Sequence, residues 1–506
     1  MRVKTTILQS PLYLLTVPLI FILNAANHYY NLLDWPLIVT PLLFYMLAFI
    51  PIYFIVSWLF NSREKGAVYT IFLLFIFYFF APFHQWIKEL LGDQLVRYII
   101  LLPLLLITLI GLFIYLKKSK TSFQKLLYFL NRLLILLVVA GLLELTYNFF
   151  LNTNLKNDQA DPQKILSSSY KPCPNCSKPD IYYILLDGYT NSKTLKNEFN
   201  YDNSEIDRSL SEKGFNIVTE SRSNYNFTHM SMASIFNLNY LHHLNNEKIF
   251  YTKEFLQSYY TMYHNEWCTI LKKEGYQIKN YSIFPIEDAT QQITPFLTEL
   301  SYRSVPGQTF FNKVNRDIGW QFASYFNSTN EIKLYERNYI TTNLKRIEET
   351  FNGLLKESTL KENSPRFIYA HFVLPHEIFY FDSTGKRLPE LYTARTRLNK
   401  KDYVNQVAYT NKFIITPLVD SILKNNSRPA IIIFQGDHGY RNYPAEKMQL
   451  EFENFNAQYF PGKNYDLFEK STTSVNTFRI VLSTFFNQQL PLLKDSTINL
   501  MKMNQR

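Results

Sequence analysis

Long apolar runs occupy most of the first 150 residues of this chain, and they constrain its fold more than any other feature. An α-helix rises about 1.5 Å per residue, so roughly 20 apolar residues are needed to cross a hydrocarbon core of about 30 Å. The runs that approach this length are Pro11–Ala25, Pro36–Phe60, Ala67–Phe83, Tyr98–Leu116 and Leu126–Phe150. A soluble helical core does not need runs this long and this uncharged. We therefore predict a five-helix transmembrane bundle over residues 1–150.

The Lys and Arg residues between these runs predict how the bundle is oriented. If the N-terminus is cytoplasmic, the inside segments hold eight of these residues and the outside loops hold two, Lys88 and Arg97. Cytoplasmic loops are enriched in Lys and Arg, so this orientation is favoured. No small-residue cleavage site follows the first run, which is therefore expected to be retained. We predict a multi-pass protein of the cytoplasmic (inner) membrane, with everything after residue 150 on the extracytoplasmic (periplasmic) side.

The net charge of +11 gives little reason to expect a nucleic-acid partner. The first 150 residues carry 11 Lys and Arg against 5 Asp and Glu, which leaves a charge of +5 for the rest of the chain. Nucleic-acid-binding domains carry clustered basic faces, and this sequence has no such cluster. We attribute the basic composition mainly to membrane orientation and expect no nucleic-acid partner.

Residues 151–178 are polar and rich in Asn, Ser, Pro and Lys, and we predict an extracytoplasmic linker there. Cys173 and Cys176 lie in this linker, in a compartment that permits disulfide bonds. A zinc site would need two further ligands, and the third cysteine, Cys268, stands alone. A local disulfide is the favoured interpretation, although the spacing alone does not decide it.

Three short apolar runs after residue 178 end in polar residues that can bind metals or transfer protons. They are Asp180–Leu186 followed by Asp187 and Gly188, Phe367–Phe372 with His371 inside it and His376 after it, and Ala430–Gln435 followed by Asp437, His438 and Gly439. Buried parallel strands are apolar on both faces, and helical periodicity over Ile340–Leu360 and Val404–Lys424 precedes two of these runs. We therefore predict an α/β domain with a mostly parallel central sheet over residues 179–506. Ligands bind at the carboxyl ends of the strands in such sheets.

Each strand end taken alone has an ordinary explanation. An Asp-Gly pair is a common turn, and His371 and His376 could be packing or strand-end residues. Asp437 and His438 are adjacent residues of different ligand types, and the glycine after them allows both to reach one cation. Together with Asp187 they give two carboxylates and a histidine, a set that suits a divalent cation such as Mn²⁺ or Zn²⁺.

A candidate nucleophile lies in the segment from Ser223 to Ser234. Thr228 is followed at the third and sixth positions by serines, which is the spacing of one helix face. A hydroxyl at a helix N-terminus lies beside free amide N–H groups and the positive end of the helix dipole, which favour a bound anion or an ionised alkoxide. The same sequence would equally suit Thr228 as a simple N-cap.

With these motifs, residues 179 to about 485 resemble the alkaline phosphatase/sulfatase superfamily. The similar branch is the membrane-anchored one that includes lipoteichoic acid synthases and lipid phosphoethanolamine transferases, which carry five transmembrane helices before an extracytoplasmic catalytic domain. The resemblance implies a sulfatase-like α/β domain in which Asp187, Thr228, Asp437 and His438 hold one divalent metal ion, Mn²⁺ or Zn²⁺. It also implies that Thr228 is the catalytic nucleophile.

The resemblance extends to the residues that would contact the substrate. His376 is similar to the catalytic histidine that contacts the transferred phosphate, and His371 is a second candidate for that contact or for a second metal. Asn224 and Arg441 are further candidates for binding the substrate phosphate, although either could be a solvated surface residue. No histidine follows His438 in the sequence, so a single metal ion is preferred.

Two departures from the family pattern leave the reaction open. The Cys/Ser-x-Pro-x-Arg motif that sulfatases convert to formylglycine is absent, which disfavours sulfate-ester hydrolysis by that chemistry. Asp187 stands where lipoteichoic acid synthases and phosphoethanolamine transferases usually have Glu. An Asp at that position is more usual in the phosphatase and phosphodiesterase branches, so both transfer and hydrolysis remain open.

The resemblance implies a metal-dependent phosphoryl-group transferase or phosphodiesterase that acts on lipid-linked or envelope substrates through a covalent phospho-threonine. Membrane lipids are the expected partners, and a phospholipid or an envelope glycan is the expected substrate. Two alternatives stay open. One is a membrane-tethered phosphatase or sulfatase-like hydrolase of soluble esters, and the other is a non-catalytic envelope scaffold.

Overall fold

The computed structural model divides the chain into two compact units. The membrane unit comprises residues 1–158, 298–329 and 504–506, and the catalytic unit comprises residues 159–297 and 330–503. The structure describes residues 11–28, 35–92, 96–158, 164–241, 248–250, 252–293, 305–319, 329–389, 399–425 and 427–502. The division therefore differs from a single boundary near residue 150, because residues 298–329 group with the membrane helices.

The membrane unit contains five apolar helices among its described residues. They are α1 (Tyr13–His28), α2 (Trp35–Phe60), α3 (Arg63–Leu91), α4 (Tyr98–Lys118) and α5 (Gln124–Asp158). By length and composition four of them, α2 to α5, can cross a membrane, and α5 is apolar over Gln124–Phe150. Helix α1 has 16 residues and is shorter than the other four. The fold thus has four long apolar helices and one shorter one before the catalytic unit.

Helix α3 extends beyond its apolar run at both ends, into the polar flanking sequence. Helix α3 begins at Arg63, where the Ser62 side chain accepts a hydrogen bond of 3.4 Å from the Lys65 amide. It ends at Leu91 and is capped by Gly92, whose φ of 80° is a conformation that favours glycine. The apolar run Ala67–Phe83 accordingly marks only the middle of this helix.

A seven-stranded mixed sheet forms the centre of the catalytic unit, in the order β2-β8-β7-β1-β6-β4-β5. Its strands are β1 (Asp180–Leu186), β2 (Asn216–Ile217), β4 (Gln277–Tyr281), β5 (Thr290–Gln291), β6 (Arg366–Phe372), β7 (Ala430–Gln435) and β8 (Asn456–Tyr459), while β3 (Lys248–Phe250) and β9 (Leu500–Lys502) form a separate pair. The five strands from β7 to β5 run parallel. Strand β8 pairs antiparallel with β7, and β2 pairs antiparallel with β8. The predicted α/β domain with a mostly parallel sheet is confirmed.

The three apolar runs singled out in the sequence are neighbours, with β1 between β6 and β7. Leu185 of β1 pairs with both His371 and Gln435, so the carboxyl ends of all three strands lie at one edge of the sheet. Every residue of these strands is buried. The polar residues after the strands therefore converge on the same edge.

Helices flank this sheet. They are α6 (Lys164–Ser169), α7 (Ser192–Phe199), α8 (Ser204–Glu212), α9 (Thr228–Phe236), α10 (Thr252–Tyr263), α11 (Glu266–Lys273), α12 (Thr329–Thr359), α13 (Lys400–Tyr409), α14 (Thr416–Asn425) and α15 (Thr477–Phe485). Both helices predicted from periodicity are present. The second is interrupted by a π-helical stretch, Thr410–Ile415, between α13 and α14.

A buried ion network joins β1 and β6 at the edge of the sheet opposite the predicted site. The Arg366 guanidinium donates to the Asp180 carboxylate at 2.6 Å and to Glu357 at 3.0 Å. The Arg366 amide also donates to Asp180 at 2.9 Å. All three side chains are almost fully buried, so each charge depends on its partners.

The end of the predicted linker is attached to the catalytic unit. Cys173 and Cys176 form a disulfide, which agrees with the favoured interpretation, and Cys268 is free and buried. Glu274 accepts hydrogen bonds from the Tyr170 hydroxyl at 2.6 Å and from the Cys173 amide at 2.8 Å. These contacts fix the chain just before β1.

Candidate active site

Asp187 continues β1 to the edge of the sheet where the site lies. Its amide donates to the Phe372 carbonyl at 3.0 Å, and its carbonyl accepts from the His376 amide at 2.9 Å. Gly188 follows with a φ of 71°, a conformation that favours glycine. The Gly188 amide donates to an Asp437 carboxylate oxygen at 3.0 Å, so the turn after β1 also orients the carboxylate after β7.

His438 is the centre of the predicted ligand set. Its Nδ1 donates to the Gly439 carbonyl at 2.6 Å, which leaves the Nε2 lone pair free to accept. This Nε2 lies 3.3 Å from Asp437 Oδ2, 3.4 Å from Thr228 Oγ1 and 3.5 Å from Asp187 Oδ1. The structure therefore brings together all four residues that the resemblance implied as metal ligands.

This arrangement fits a divalent cation. Asp187 Oδ1 and Asp437 Oδ2 are buried carboxylate oxygens without a hydrogen-bond partner. Ligand atoms about 2.1 Å from a tetrahedral ion lie about 3.4 Å apart, close to the three separations around His438 Nε2. Asp187, His376 and His438 also form a group whose ligand atoms all lie within 4.8 Å of one another. Buried anions that lack a donor are stabilised by a cation at this point.

The surroundings favour the protonation states that metal ligands need. Burial alone would raise the pKa of Asp187, but His376, His371 and His438 outweigh burial and hold that pKa below its usual range. Burial lowers the pKa of His438, against the opposing effect of Asp437. These directions favour an ionised Asp187 and a neutral His438, which are the forms that bind a metal.

Thr228 is the first residue of α9, and Phe227 occupies the N-cap position. The alternative of Thr228 as an N-cap is thus not what the structure contains, and its hydroxyl instead faces His438. The serines on the same helix face have other partners, because Ser231 donates to the Tyr225 carbonyl at 2.8 Å and Ser234 to the Asn239 carbonyl at 2.7 Å. Of these three hydroxyls, Thr228 is the one directed at the ligand set.

His376 and Arg441 lie beside the ligand set. The Arg441 guanidinium donates to His376 Nε2, and His376 Nδ1 donates to the Glu377 carbonyl. The guanidinium also lies 5.7 Å from the centre of the Phe227 ring, next to the start of α9. His376 Nε2 is 3.9 Å from Asp187 Oδ1. A guanidinium and a histidine thus lie beside Asp187 and the residue that precedes Thr228, an arrangement suited to a phosphoryl group.

His371 lies against the other oxygen of the same carboxylate. Its Nε2 is 3.2 Å from Asp187 Oδ2, and its ring stacks on Phe284 at 5.7 Å. The side chain is fully buried. These contacts are those of a residue that orients Asp187 rather than one that touches a substrate.

The contacts of Asn224 differ from those of a phosphate ligand. Its side-chain nitrogen donates to the Tyr240 hydroxyl at 3.0 Å and to the Ser496 carbonyl at 2.8 Å. Its side-chain oxygen accepts from the Val475 amide at 2.8 Å. The amide is buried, and these partners tie it to the C-terminal segment.

Glu451 connects the Thr228 loop to the Asp-His-Gly turn, and the sequence did not predict this contact. Asn226 donates to the Glu451 carboxylate at 3.3 Å, and the Glu451 carbonyl accepts from the Gly439 amide at 2.7 Å. Burial raises the pKa of Glu451, against the effects of Asn226 and Arg441. No local pattern marks Glu451, because its contacts depend on loops that are distant in sequence.

Several solved structures are similar to this chain. By structure the chain is similar to the C-terminal periplasmic domain of EcEptC from Escherichia coli in complex with Zn (TM-score 0.38, 12% identity, 65% of this chain and 93% of that chain). It is also similar to the corresponding domain of the phosphoethanolamine transferase EptC from Campylobacter jejuni (0.35, 11%, 62% and 91%). A third similar structure is the soluble domain of lipooligosaccharide phosphoethanolamine transferase A from Neisseria meningitidis (0.35, 11%, 61% and 88%). No curated protein matches the sequence at a significant level.

The family assignment rests on the sequence itself. The model of the sulfatase family matches residues 183–482, which is more than half of the chain and includes the second half of β1, the Thr228 loop, β6 and the Asp-His-Gly turn. The chain belongs to the sulfatase family.

Proposed function

We propose that this protein is a metal-dependent phosphoryl-group transferase or phosphodiesterase that works through a covalent phospho-threonine at Thr228. The observation that carries the proposal is the placement of the Thr228 hydroxyl 3.4 Å from His438 Nε2, within a set of buried carboxylate oxygens that lack partners. In this proposal Asp187, Thr228, Asp437 and His438 hold one Mn²⁺ or Zn²⁺ ion. When bound, that ion supplies charge neutralisation and a lowered hydroxyl pKa.

The side chains of this protein would then carry out two displacements. Thr228 Oγ1 attacks phosphorus, the phosphoester P–O bond breaks, and the hydroxyl proton of Thr228 ends on the released alcohol, with His376 as its carrier. A second alcohol, or water, then attacks phosphorus, the Thr228 Oγ1–P bond breaks, and the proton of the attacking group returns to Thr228. Arg441 holds phosphoryl oxygens, since it is a fixed donor beside His376.

The proposed setting is the outer face of the cytoplasmic membrane, with the N-terminus inside and five membrane passes. The apolar helices of the membrane unit support membrane anchoring. Anchoring gives a high effective concentration of lipid headgroups near a site that acts on them. The proposed substrates are therefore phospholipids or envelope glycans, and membrane lipids are the proposed partners.

Two other functions are compatible with the fold: a tethered hydrolase of soluble esters and a non-catalytic scaffold. Ester hydrolysis uses the same Thr228 chemistry with water as the acceptor, so the substrate distinguishes it from lipid-directed transfer. The scaffold is disfavoured because Asp187, Thr228, Asp437 and His438 are all present and converge.

The test is intact-protein and peptide mass spectrometry on the full chain purified from its membrane, with and without added Mn²⁺ or Zn²⁺. Phospholipid vesicles and a soluble aryl phosphate are supplied in separate arms, and Thr228→Ala is compared with Thr228→Ser. The proposal predicts a metal-dependent adduct on the Thr228 peptide from vesicles, absent in Thr228→Ala. Turnover of the aryl ester with no adduct from vesicles would favour the tethered hydrolase. A protein that binds no metal and forms no adduct in either arm is a scaffold.

A further inference from the structure

Residues 305–319 interrupt the sequence of the catalytic unit but fold with the membrane unit. The chain passes from the catalytic unit into the membrane unit at residue 298 and returns at residue 330. The described part of this excursion is a short 3₁₀ turn (Pro306–Gln308), a helix (Phe310–Val314) and a π-helical turn (Asn315–Gly319). We call residues 305–319 the docking segment. The family match spans these residues without a break and gives them no role.

Two phenylalanines pack the docking segment against α3. The Phe310 ring lies 4.9 Å from Phe80, and the Phe311 ring lies 5.9 Å from Phe77, both in edge-to-face arrangements. Such pairs stabilise a contact beyond their buried area. Phe311 is otherwise 69% exposed, so its contact with α3 covers only one side of the ring.

Polar contacts tie the same segment to two other helices. The Tyr98 hydroxyl at the start of α4 donates to Asp317 at 2.6 Å, and Asn312 donates to the Tyr45 hydroxyl of α2 at 2.9 Å. Lys313 lies 2.8 Å from the same Asp317 oxygen, with both side chains largely buried. The docking segment therefore contacts α2, α3 and α4, at Tyr45, at the middle of α3 and at the first residue of α4.

We propose that the docking segment is a non-covalent anchor that holds the catalytic unit to the transmembrane helices of the same chain. The covalent connection through α5 and the linker is then one of two attachments. The docking segment binds the face formed by Tyr45, Phe77, Phe80 and Tyr98. This contact is specific, because it combines ring packing with directed hydrogen bonds on three helices. A second attachment raises the effective concentration of one unit near the other without any new catalytic contact.

The test separates this anchor from the covalent connection. A protease recognition sequence is inserted within residues 159–163 of the full chain, and membranes are treated with the protease and then washed at high salt. The anchor predicts that the fragment from the linker to residue 506 stays in the pellet. After solubilisation in detergent it also co-elutes with the fragment that carries α1 to α5.

Variants of the segment complete the test. The double variant Phe310→Ala with Asp317→Ala is expected to release most of the cleaved fragment, and Tyr98→Phe, which removes only one hydroxyl, is expected to release part of it. Asp288→Ala is the matched control, because Asp288 is an exposed carboxylate paired with Lys272 inside the catalytic unit. Release of the wild-type fragment on cleavage, or equal retention of the double variant, overturns the proposal. Retention on membranes with separation of the fragments in detergent overturns it as well, since the bilayer would then be the partner.

Discussion

His438 Nε2 lies 3.4 Å from the Thr228 hydroxyl oxygen, although 210 residues separate them in the chain. The distance results from two different local structures, because Thr228 starts helix α9 and His438 follows strand β7. The proton on Nδ1 is committed to the Gly439 carbonyl, so the nitrogen that faces Thr228 is an acceptor or a metal ligand and not a donor. This relationship links the proposed nucleophile to the proposed metal.

Replacing His438 with Ala is expected to abolish stable metal binding. The substitution removes the atom nearest to both unpartnered carboxylate oxygens, so the affinity should fall by more than the roughly 10- to 100-fold caused by loss of an outer-shell partner. Metal content after dialysis and calorimetric titration with Zn²⁺ and Mn²⁺ measure this. His264→Ala is the control, because His264 pairs with Glu287 outside the ligand set. Unchanged metal content in His438→Ala would contradict the assignment.

His371→Phe is expected to weaken metal binding without changing substrate recognition. Phenylalanine keeps the stacking on Phe284 but removes the nitrogen that lies against Asp187. The metal affinity should fall about 10- to 100-fold, and KM at saturating metal should change little. A raised KM with an unchanged metal affinity would return His371 to the role of a substrate contact.

Asn224→Ala is expected to lower stability and leave KM unchanged. The substitution leaves the buried Val475 amide without the Asn224 acceptor, which costs about 1–3 kcal/mol of unfolding free energy for an unpaired buried group. Asn464→Ala serves for comparison, since Asn464 is exposed and caps only the Asp466 amide. Denaturant titration and steady-state kinetics separate the outcomes. A variant of wild-type stability with a raised KM would restore the predicted phosphate contact.

Arg366→Ala is expected to destabilise the catalytic unit by about 3–5 kcal/mol, because it removes the buried cation that Asp180 and Glu357 share, although Arg428 still lies 3.7 Å from Asp180. Lys193→Ala breaks an exposed pair with Glu220 and should cost less than about 1 kcal/mol. Unfolding in detergent can be followed by tryptophan fluorescence, to which Trp267, buried and stacked on Phe478, contributes. Equal losses in the two variants would mean that the buried network contributes no more than a surface pair.

The docking segment is expected to retain the cleaved catalytic fragment at neutral pH and to release it in acid. Burial opposes ionisation of Asp317, but hydrogen bonds from Lys313 and Tyr98 outweigh burial and lower its pKa. The other charged or titratable groups that face it are Arg316 and His84.

A lowered folded pKa contributes stability above the ordinary carboxyl pKa of about 4, and that stability is lost as the pH falls through the lower value. Retention of the cleaved fragment should therefore be constant down to about pH 5 and fall below about pH 4. Asp317→Asn should retain less fragment at neutral pH and lose this dependence. Retention that does not fall in acid would contradict this role of Asp317.

Much of the architecture could be predicted from short stretches of sequence, because the burial of a helix or strand is visible in the pattern of its own residues. The apolar runs predicted the membrane helices, and the strands β1, β6 and β7 appeared close to their predicted bounds, because burial on both faces requires continuous apolar sequence. The residues Asp187, Asp437 and His438 could be predicted to converge, since parallel strands place their carboxyl ends at one edge.

Other features depended on contacts between distant segments and could be decided only by the tertiary structure. Asn224 looked like a phosphate contact beside Thr228, yet its amide is occupied by Val475 and by the backbone of Ser496. The docking segment has no apolar run long enough to signal that it leaves the catalytic unit. The sequence by itself therefore determined which elements form and which residue types meet at the sheet edge. The partner of each remaining polar group was decided by folding, because a buried donor or acceptor must be paired with whatever group the tertiary structure brings to it.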